Sequence, residues 1–562
     1  MRTRMVCLED GITSCGFRKM AAFVTQIHPG TESFYISTER YRSVRTAVRG
    51  MGDKAVIGDE QVDEMAQGLK DSDLIGFSSM TGYSDLTRRV VKRVRELNPS
   101  VYMIWGGIHP IIQPEDAILA DVDAICTGEG EFAFEEFFDA FKDERDHTDT
   151  KNFWFKPTDC ASSNGNGDQI IKNHFRPLMT VQQMERLPFP QYGAASEKLY
   201  LPGRGFVRMS AEDYLLNDGL GYTTLWSIGC PFHCSYCGNT KFIANDAKYK
   251  RIRHPSARYM VDQVKDARAR FPHLSQVSFH DDSFMAIPYG QLEEFAELWH
   301  DELALPFAVY GVIPNYVRQD KFELLSWAGM NRIRMGIQSG SKNMLDFYRR
   351  PTPPEKILRA GEVIASFAPK YHIPAAYDII MDNPIETRDD VKSTLQLLYK
   401  MDRPYTLFIY SLKVIPNTGL EAAMKERGVD LDEIDESYLA IPPRVANLML
   451  YLIALWRPPP WLWNRLMGHV RASSEPQKLH PRLGLVLRTL YLTKRVLCHL
   501  RVMDFSITPG KTGYYAWKLG LVSLWQKRFT RRPPRPQRTK KQAAADVSVG
   551  VTVISPDGMR SE

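Results

Sequence analysis

The chain has 562 residues, 44% hydrophobic and 25% charged, with a formal net charge of +6. That length exceeds what one hydrophobic core serves, so three or four units are expected. The composition excludes a wholly disordered chain and one that is membrane-embedded throughout. Eight cysteines stand at 7, 15, 126, 160, 230, 234, 237 and 498. Five are scattered and three are crowded together, which excludes a disulfide framework and suits a reducing cytosol.

The opening residues carry Glu9 and Asp10 where a signal peptide would need a long apolar run, so export is not expected. Short apolar runs then alternate with helical patterns. Thr3–Leu8, Asp73–Ser78, Val101–Trp105 and Ala124–Cys126 read as strands; Lys19–Val24, Asp85–Leu97 and Glu131–Phe141 read as helices. This alternation predicts a doubly wound, Rossmann-like parallel sheet over 1–145, with ligands at the carboxyl ends of its strands. Glycines stand there, at Gly82, Gly106-Gly107 and Gly128-Glu-Gly130. Residues 146–220, with the Asn/Gly-rich Ser162–Asp168, show little periodicity and read as a linker.

A second series over 221–430 has strands near Thr223–Ile228, Gln276–Phe279, Phe307–Gly311, Arg332–Ile337, Ala375–Met381 and Thr406–Val414. Helical patterns separate them. Six such units predict a partial (β/α)6 barrel, whose chemistry belongs in the loops after the strands. Residues 431–530 read as a helical C-terminal region and 531–562 as a basic, Pro-broken, disordered tail. From Ile441 to Lys541, 20 Lys or Arg face only Glu475 and Asp504, a local net charge of +18 in a chain whose total is +6.

The first barrel strand runs into Gly229-Cys-Pro-Phe-His-Cys-Ser-Tyr-Cys-Gly-Asn239. Its thiols, Cys230, Cys234 and Cys237, are spaced C-x3-C-x2-C. Three thiolates on a compact loop suit three irons of a cubane and leave the fourth iron open, whereas a structural zinc site takes four ligands. A zinc reading needs His233 or distant Cys160 to complete the set.

This motif, with Tyr236 before its last cysteine, resembles the cluster motif of the radical S-adenosylmethionine (SAM) superfamily. The resemblance implies a [4Fe-4S] cluster whose open iron is chelated by SAM, an external electron donor such as flavodoxin or ferredoxin, and a 5′-deoxyadenosyl radical. It places Asp281 and Asp282 of His280-Asp-Asp-Ser-Phe284 near the SAM amino group, with helix capping or a solvated turn as the alternative. Gln338 and Ser339 of Gly336-Ile-Gln-Ser-Gly-Ser341 fall near its carboxylate and ribose, with a glycine turn as the alternative. Asp382-Asn-Pro-Ile-Glu-Thr387 and Ile415-Pro-Asn-Thr418 hold the fifth and sixth positions.

A doubly wound domain before such a barrel is similar to the cobalamin-binding members of that superfamily. The carrying segments are Ser78-Ser-Met-Thr-Gly82, Trp105-Gly-Gly-Ile-His-Pro110 and Thr127-Gly-Glu-Gly-Glu131. The resemblance assigns Ser79, Thr81, Gly106, Gly107, His109, Gly128 and Gly130 to cobalamin. Asp10-Gly-Ile-Thr-Ser-Cys-Gly16 has Ile12 where methyltransferase-type cobalamin domains carry the lower cobalt ligand histidine.

The segment Arg444–Trp456 is apolar but too short to span a bilayer. Arg482–Leu500 places Leu483, Leu487, Leu490 and Leu497 at helical spacing among Arg488, Lys494 and Arg495. That pattern fits an acidic bilayer surface or helices packed over the barrel mouth. No nucleic-acid recognition module accompanies the charge. The expected protein is a cytoplasmic enzyme, with the inner membrane surface as its peripheral contact if the bilayer reading holds. It would methylate an unactivated carbon of a small-molecule or lipid substrate; the alternatives are a radical cyclisation or rearrangement enzyme and a non-catalytic cobalamin or redox sensor. No catalytic side chain is assigned.

Overall fold

The computed structural model describes residues 1–37, 57–157, 170–368, 370–431, 444–475, 477, 479, 481–501, 510–524 and 532–536. Among the described residues nine strands form the first sheet: β1 (Thr3–Asp10), β2 (Glu32–Ile36), β3 (Leu74–Ser78), β4 (Tyr102–Gly106), β5 (Ala124–Cys126), β6 (Phe153–Phe155), β7 (Ile171–Lys172), β8 (Glu197–Leu201) and β9 (Gly205–Arg208). Their spatial order is β7-β6-β5-β4-β3-β1-β2-β8-β9. The central strands pair in parallel.

Both faces of this sheet are covered, which is why its strands are near-continuous apolar runs rather than alternating ones. Phe17, Ala21 and Val24 of helix Cys15–Ile27 and Phe134 and Phe137 of Glu131–Lys142 belong to the core on one face. Val62 and Met65 of Asp59–Leu69 and Val90 and Val94 of Ser84–Leu97 belong to the core on the other. The doubly wound expectation matches this arrangement.

Residues 146–220 depart from the linker expectation. They supply β6 and β7 at one edge and β8 and β9 at the other, with antiparallel pairs outermost. Strands of two to five residues are too short to display a period. The Ser162–Asp168 stretch lies outside the described residues.

The second sheet holds β10 (Gly221–Thr224), β11 (Gln276–Phe279), β12 (Phe307–Val312), β13 (Met330–Gln338), β14 (Ala375–Met381) and β15 (Tyr405–Ser411), in sequence order and parallel throughout. The outer helices include Ala257–Arg270, capped by Ser256 Oγ, and Arg388–Lys400, whose Thr387 and Asp390 form a capping box. β10 ends at Thr224, short of the expected Ile228. The amides of Trp226 and Ser227 bond the Asp281 carboxylate instead of a strand neighbour.

The described C-terminal region is helical: Val445–Leu455, Pro460–Gly468, Pro481–Arg501 and Gly510–Lys518. Helix Pro481–Arg501 lies along the barrel's edge strand, where Tyr491 Oη accepts from Leu407 N at 2.8 Å. The edge amide is thereby satisfied. His499 Nδ1 of the same helix meets Arg332 Nη2, on β13, at 3.1 Å. Of the expected tail only 532–536 are described: Arg532 bonds Ala304 O at 2.6 Å and Arg535 pairs with Glu297. The disorder expectation for the rest lies outside the described residues.

Candidate active site at two adjoining strand ends

The cysteine loop leaves β10 through Gly229, at φ +110°, where a Cβ would lie 2.4 Å from Arg251 O. Only glycine makes this turn at that distance. Cys230 N bonds Tyr249 O at 3.2 Å, Cys237 N bonds Cys234 O at 3.1 Å, and Ser235 N bonds Tyr348 O at 2.9 Å. So held, all three cysteines line one cavity of about 190 Å³ with Tyr236, Asn239, Asp282, Gly336, Gln338, Arg350 and Asp378.

Burial pushes the Cys230 and Cys237 thiols up to about 12, with Asp282 and the neighbouring thiols adding to the effect. Such thiols become thiolates when a metal centre supplies the missing positive charge. Among the described residues no group of three or more His, Cys, Asp and Glu side chains converges on a single ion position. Three thiols on one cavity wall fit three irons of a multi-iron cluster, where a closed zinc site takes four ligands. Arg350 is buried beside it, donating from Nη1 to Tyr236 Oη at 3.0 Å and lying 3.8 Å from Cys234 Sγ.

Of the residues expected at SAM, Tyr236, Asp282 and Gln338 line this cavity. Asp281 and Ser339 do not. Asp281 is turned back into the protein, accepting from Trp226 N at 3.1 Å, Ser227 N at 2.5 Å and Ser227 Oγ at 2.6 Å. Ser339 is buried against Thr394, Oγ to Oγ1 at 3.0 Å. Alternation along the extension of β11 turns Asp282 inward and Asp281 outward, while Gln338 ends β13 in the left-handed region, at φ +72°, where the chain turns Ser339 toward Thr394. Gly311, at φ +65°, lets β12 pass so close that a Cβ would sit 1.9 Å from Asp281 O.

A second cavity, of about 620 Å³, lies at the carboxyl ends of β1, β3, β4 and β5. Its lining includes Glu9, Thr13, Cys15, Gly16, Ser78, Met80, Gly106, Gly107, Gly128 and Gly130. At Gly16 a Cβ meets nothing within 4 Å. The volume, the apolar walls and the bare backbone at Gly16 fit one face of a large flat ring. Ser79, Thr81 and His109 do not line it. Ser79 is buried and accepts from Trp105 Nε1 at 3.0 Å and Thr87 Oγ1 at 2.9 Å. His109 is buried, stacked on Trp105 with centroids 4.8 Å apart and Nε2 3.0 Å from Asp116. Alternation again places Ser78 and Met80 on the cavity side. Ile12 is fully buried in the core, so no side chain there reaches the ring position.

The two cavities adjoin. His280 lines the larger one and Asp282 the smaller, two residues apart on the extension of β11. At about 3.3 Å per residue their backbones are roughly 7 Å apart. Thr223 and Leu225 complete the barrel's side of the larger cavity. The domains are pinned alongside it by Asn417 Nδ2, which donates to Ile112 O at 2.9 Å, and by Gly238, where a Cβ would lie 3.3 Å from Ile112 Cδ1. His280 opens into the cavity yet is ringed by protein; that burial and the Arg334 charge hold its imidazole down at about 4, neutral near pH 7.

Sequence reasoning missed Arg350, Arg334, Asp378 and Cys15. Arg334 Nε bonds Asp378 Oδ1 at 2.7 Å between the adjacent strands β13 and β14. Alternation along β13 marks Arg334, two residues before the cavity-lining Gly336. Arg350 stands beyond any strand, and no local pattern points to it.

Residues 225–398 match the family model of the radical SAM superfamily and residues 41–138 that of the B12 binding domain. The chain is 23% identical over 341 residues to an uncharacterized methyltransferase of Pyrococcus horikoshii, covering 60% of this chain and 66% of that one. It is also 23% identical over 360 residues to the anaerobic magnesium-protoporphyrin IX monomethyl ester cyclase of Rubrivivax gelatinosus, covering 62% and 57%. The chain thus spans just under two thirds of the first relative and less of the second. Among solved structures, the radical SAM methyltransferase TsrM of Kitasatospora setae, with cobalamin and [4Fe-4S] cluster bound, has a TM-score of 0.57 at 16% identity, covering 76% of this chain and 78% of that one. The cobalamin-dependent SAM radical enzyme OxsB gives 0.57 at 14% identity, covering 99% and 82%. These likenesses establish the shared fold.

Proposed function

Since this chain carries a B12 binding domain followed by a radical SAM domain, we propose that it is a cobalamin-dependent radical SAM methyltransferase acting on an unactivated carbon. The observation that carries the reading is the adjoining of the two cavities at His280 and Asp282, which lets both cofactors address one substrate. The methyltransferase relative supports the transfer reading.

When bound, the cluster and SAM supply a carbon-centred radical and cobalamin a methyl carrier. Cys230, Cys234 and Cys237 would hold the cluster, and Asp282, Gln338 and Tyr236 would orient SAM. Asp282 places a carboxylate where an ammonium is expected. Arg350, buried beside Cys234 and Tyr236, balances the negative charge that three thiolates bring into a dry site. Neutral His280 adds no cation to a region that must accept a sulfonium. The glycine-floored cavity would take cobalamin without a histidine from the position of Ile12. An external flavodoxin or ferredoxin supplies electrons, and the substrate is a small molecule or lipid.

The test is a product assay on reduced, cobalamin-loaded protein. Methyl transfer yields S-adenosylhomocysteine together with 5′-deoxyadenosine. Formation of 5′-deoxyadenosine alone would support cyclisation or rearrangement, the chemistry in the name of the Rubrivivax relative.

A further inference from the structure

Helix Pro481–Arg501 is assembled the wrong way round for a helix that faces only water. Four polar side chains from its middle and end turn to the protein: Tyr491 bonds Leu407, His499 meets Arg332, Lys494 Nζ bonds Leu455 O at 3.3 Å, and Arg495 lies 4.3 Å from the Phe408 ring centroid. Its outer side carries Leu483, Leu485, Val486, Leu490, Val496, Leu497 and Leu500, each between 43% and 59% exposed. At 3.6 residues per turn these seven fall within an arc of about 160°. Thr489 and Thr493, in the same arc, return their hydroxyls to Leu485 O and Thr489 O at 2.8 and 2.9 Å, so that their hydrogen-bonding needs are met within the helix.

More of the same chemistry stands close by. Lys494 ties the end of helix Val445–Leu455 to the middle of this helix, next to Trp456, which is exposed, and Trp461 is exposed in the following helix. Exposed cations accompany the stripe: Arg482 in its first turn and Arg501 at its end, Arg457 and Arg465 earlier in the chain, and Lys518 beyond. An aliphatic face this large on a soluble surface marks an interaction site. A second copy would bring one region of net charge +18 against another, which Coulomb repulsion opposes, whereas an anionic surface is attracted to it.

We propose that this helix docks the enzyme on an anionic lipid bilayer, lying in the interface plane with its aliphatic arc in the acyl boundary and the flanking cations at the headgroups. Among the described residues no helix is long and apolar enough to cross a membrane, so the contact is peripheral. The inference stands apart from the chemistry at the two cavities.

The experiment is co-sedimentation of the full chain with vesicles of phosphatidylglycerol and phosphatidylcholine in equal parts, against vesicles of phosphatidylcholine alone. Wild-type protein is expected to pellet with the mixed vesicles, with binding weakened severalfold by raised salt. Leu490→Glu with Leu497→Glu should reduce it by about tenfold or more, since each change places a charge in the acyl boundary. Arg501→Glu keeps the aliphatic arc and should weaken binding about tenfold; it serves if the double variant fails a far-UV circular dichroism check. Absence of binding by the wild type, or equal binding by both variants, overturns the proposal. So does a wild-type dimer, seen by light scattering and split by the double variant, that ignores vesicles.

Discussion

Asp281 offers the sharpest separation between a ligand role and a structural one. Its carboxylate is buried and accepts from two backbone amides and one hydroxyl of the segment that leads into Gly229 and Cys230. Asp281→Ala removes the acceptor and leaves those donors buried without partners. At about 1–3 kcal/mol per orphaned group, the loss over the three donors is roughly 3–9 kcal/mol. Asp281→Asn keeps one acceptor oxygen in place and should lose about half of that. Thermal melting of the cluster-free protein measures the stability, and iron content after reconstitution measures the entry to the cysteine loop. Both should fall in Asp281→Ala. The KM for SAM in Asp281→Asn should stay within about twofold, a change worth less than about 0.5 kcal/mol. A variant that melts like wild type while its KM for SAM rises tenfold would make Asp281 a ligand and refute the clamp.

Two further outcomes follow from buried groups. Glu386, beside Ser473 Oγ at 2.9 Å, is pushed up to about 8 by burial, with Asp382 and Asp390 adding repulsion. Its native state therefore holds a proton that the unfolded chain releases between about pH 4.5 and 8, and stability from this group falls as pH rises across that window. Wild type should lose about 3–5 kcal/mol relative to Glu386→Gln between pH 5 and pH 8.5; a pH-independent gap in denaturant titrations contradicts this. Gly16 opens into the larger cavity with room for a side chain. Gly16→Trp should leave the melting temperature nearly unchanged, since glycine is a poor helix former, and lower bound cobalamin by about tenfold or more; full cobalamin content in this variant would move the ring elsewhere.

Much of the architecture was legible because the signals were local. Strand runs such as Ala375–Met381 and the helix Ala257–Arg270 carry their own period and caps, and the structure forms both over those same residues. The edge strands β6 to β9 were not, because a three-residue Phe153-Trp-Phe155 has no readable period and pairs only through distant chain. Within the sites one rule accounts for most departures. Ser79, Asp281 and Ser339 each stand next to a residue that does line a cavity, Ser78 or Met80, Asp282, and Gln338. A motif marks the strand end, while the local backbone path decides which of two neighbours faces the ligand. Cys15 and Arg350 enter through tertiary folding alone.

The central claim is that Cys230, Cys234 and Cys237 grip an iron–sulfur cluster next to a cobalamin cavity. Anaerobic purification with iron, sulfide and cobalamin quantified, for wild type and Cys234→Ala, tests it most directly. The account predicts about four irons and about four sulfides per wild-type chain with about one cobalamin, and loss of the iron with cobalamin retained in the variant. A single zinc ion without sulfide, or a full iron complement in Cys234→Ala, would contradict it.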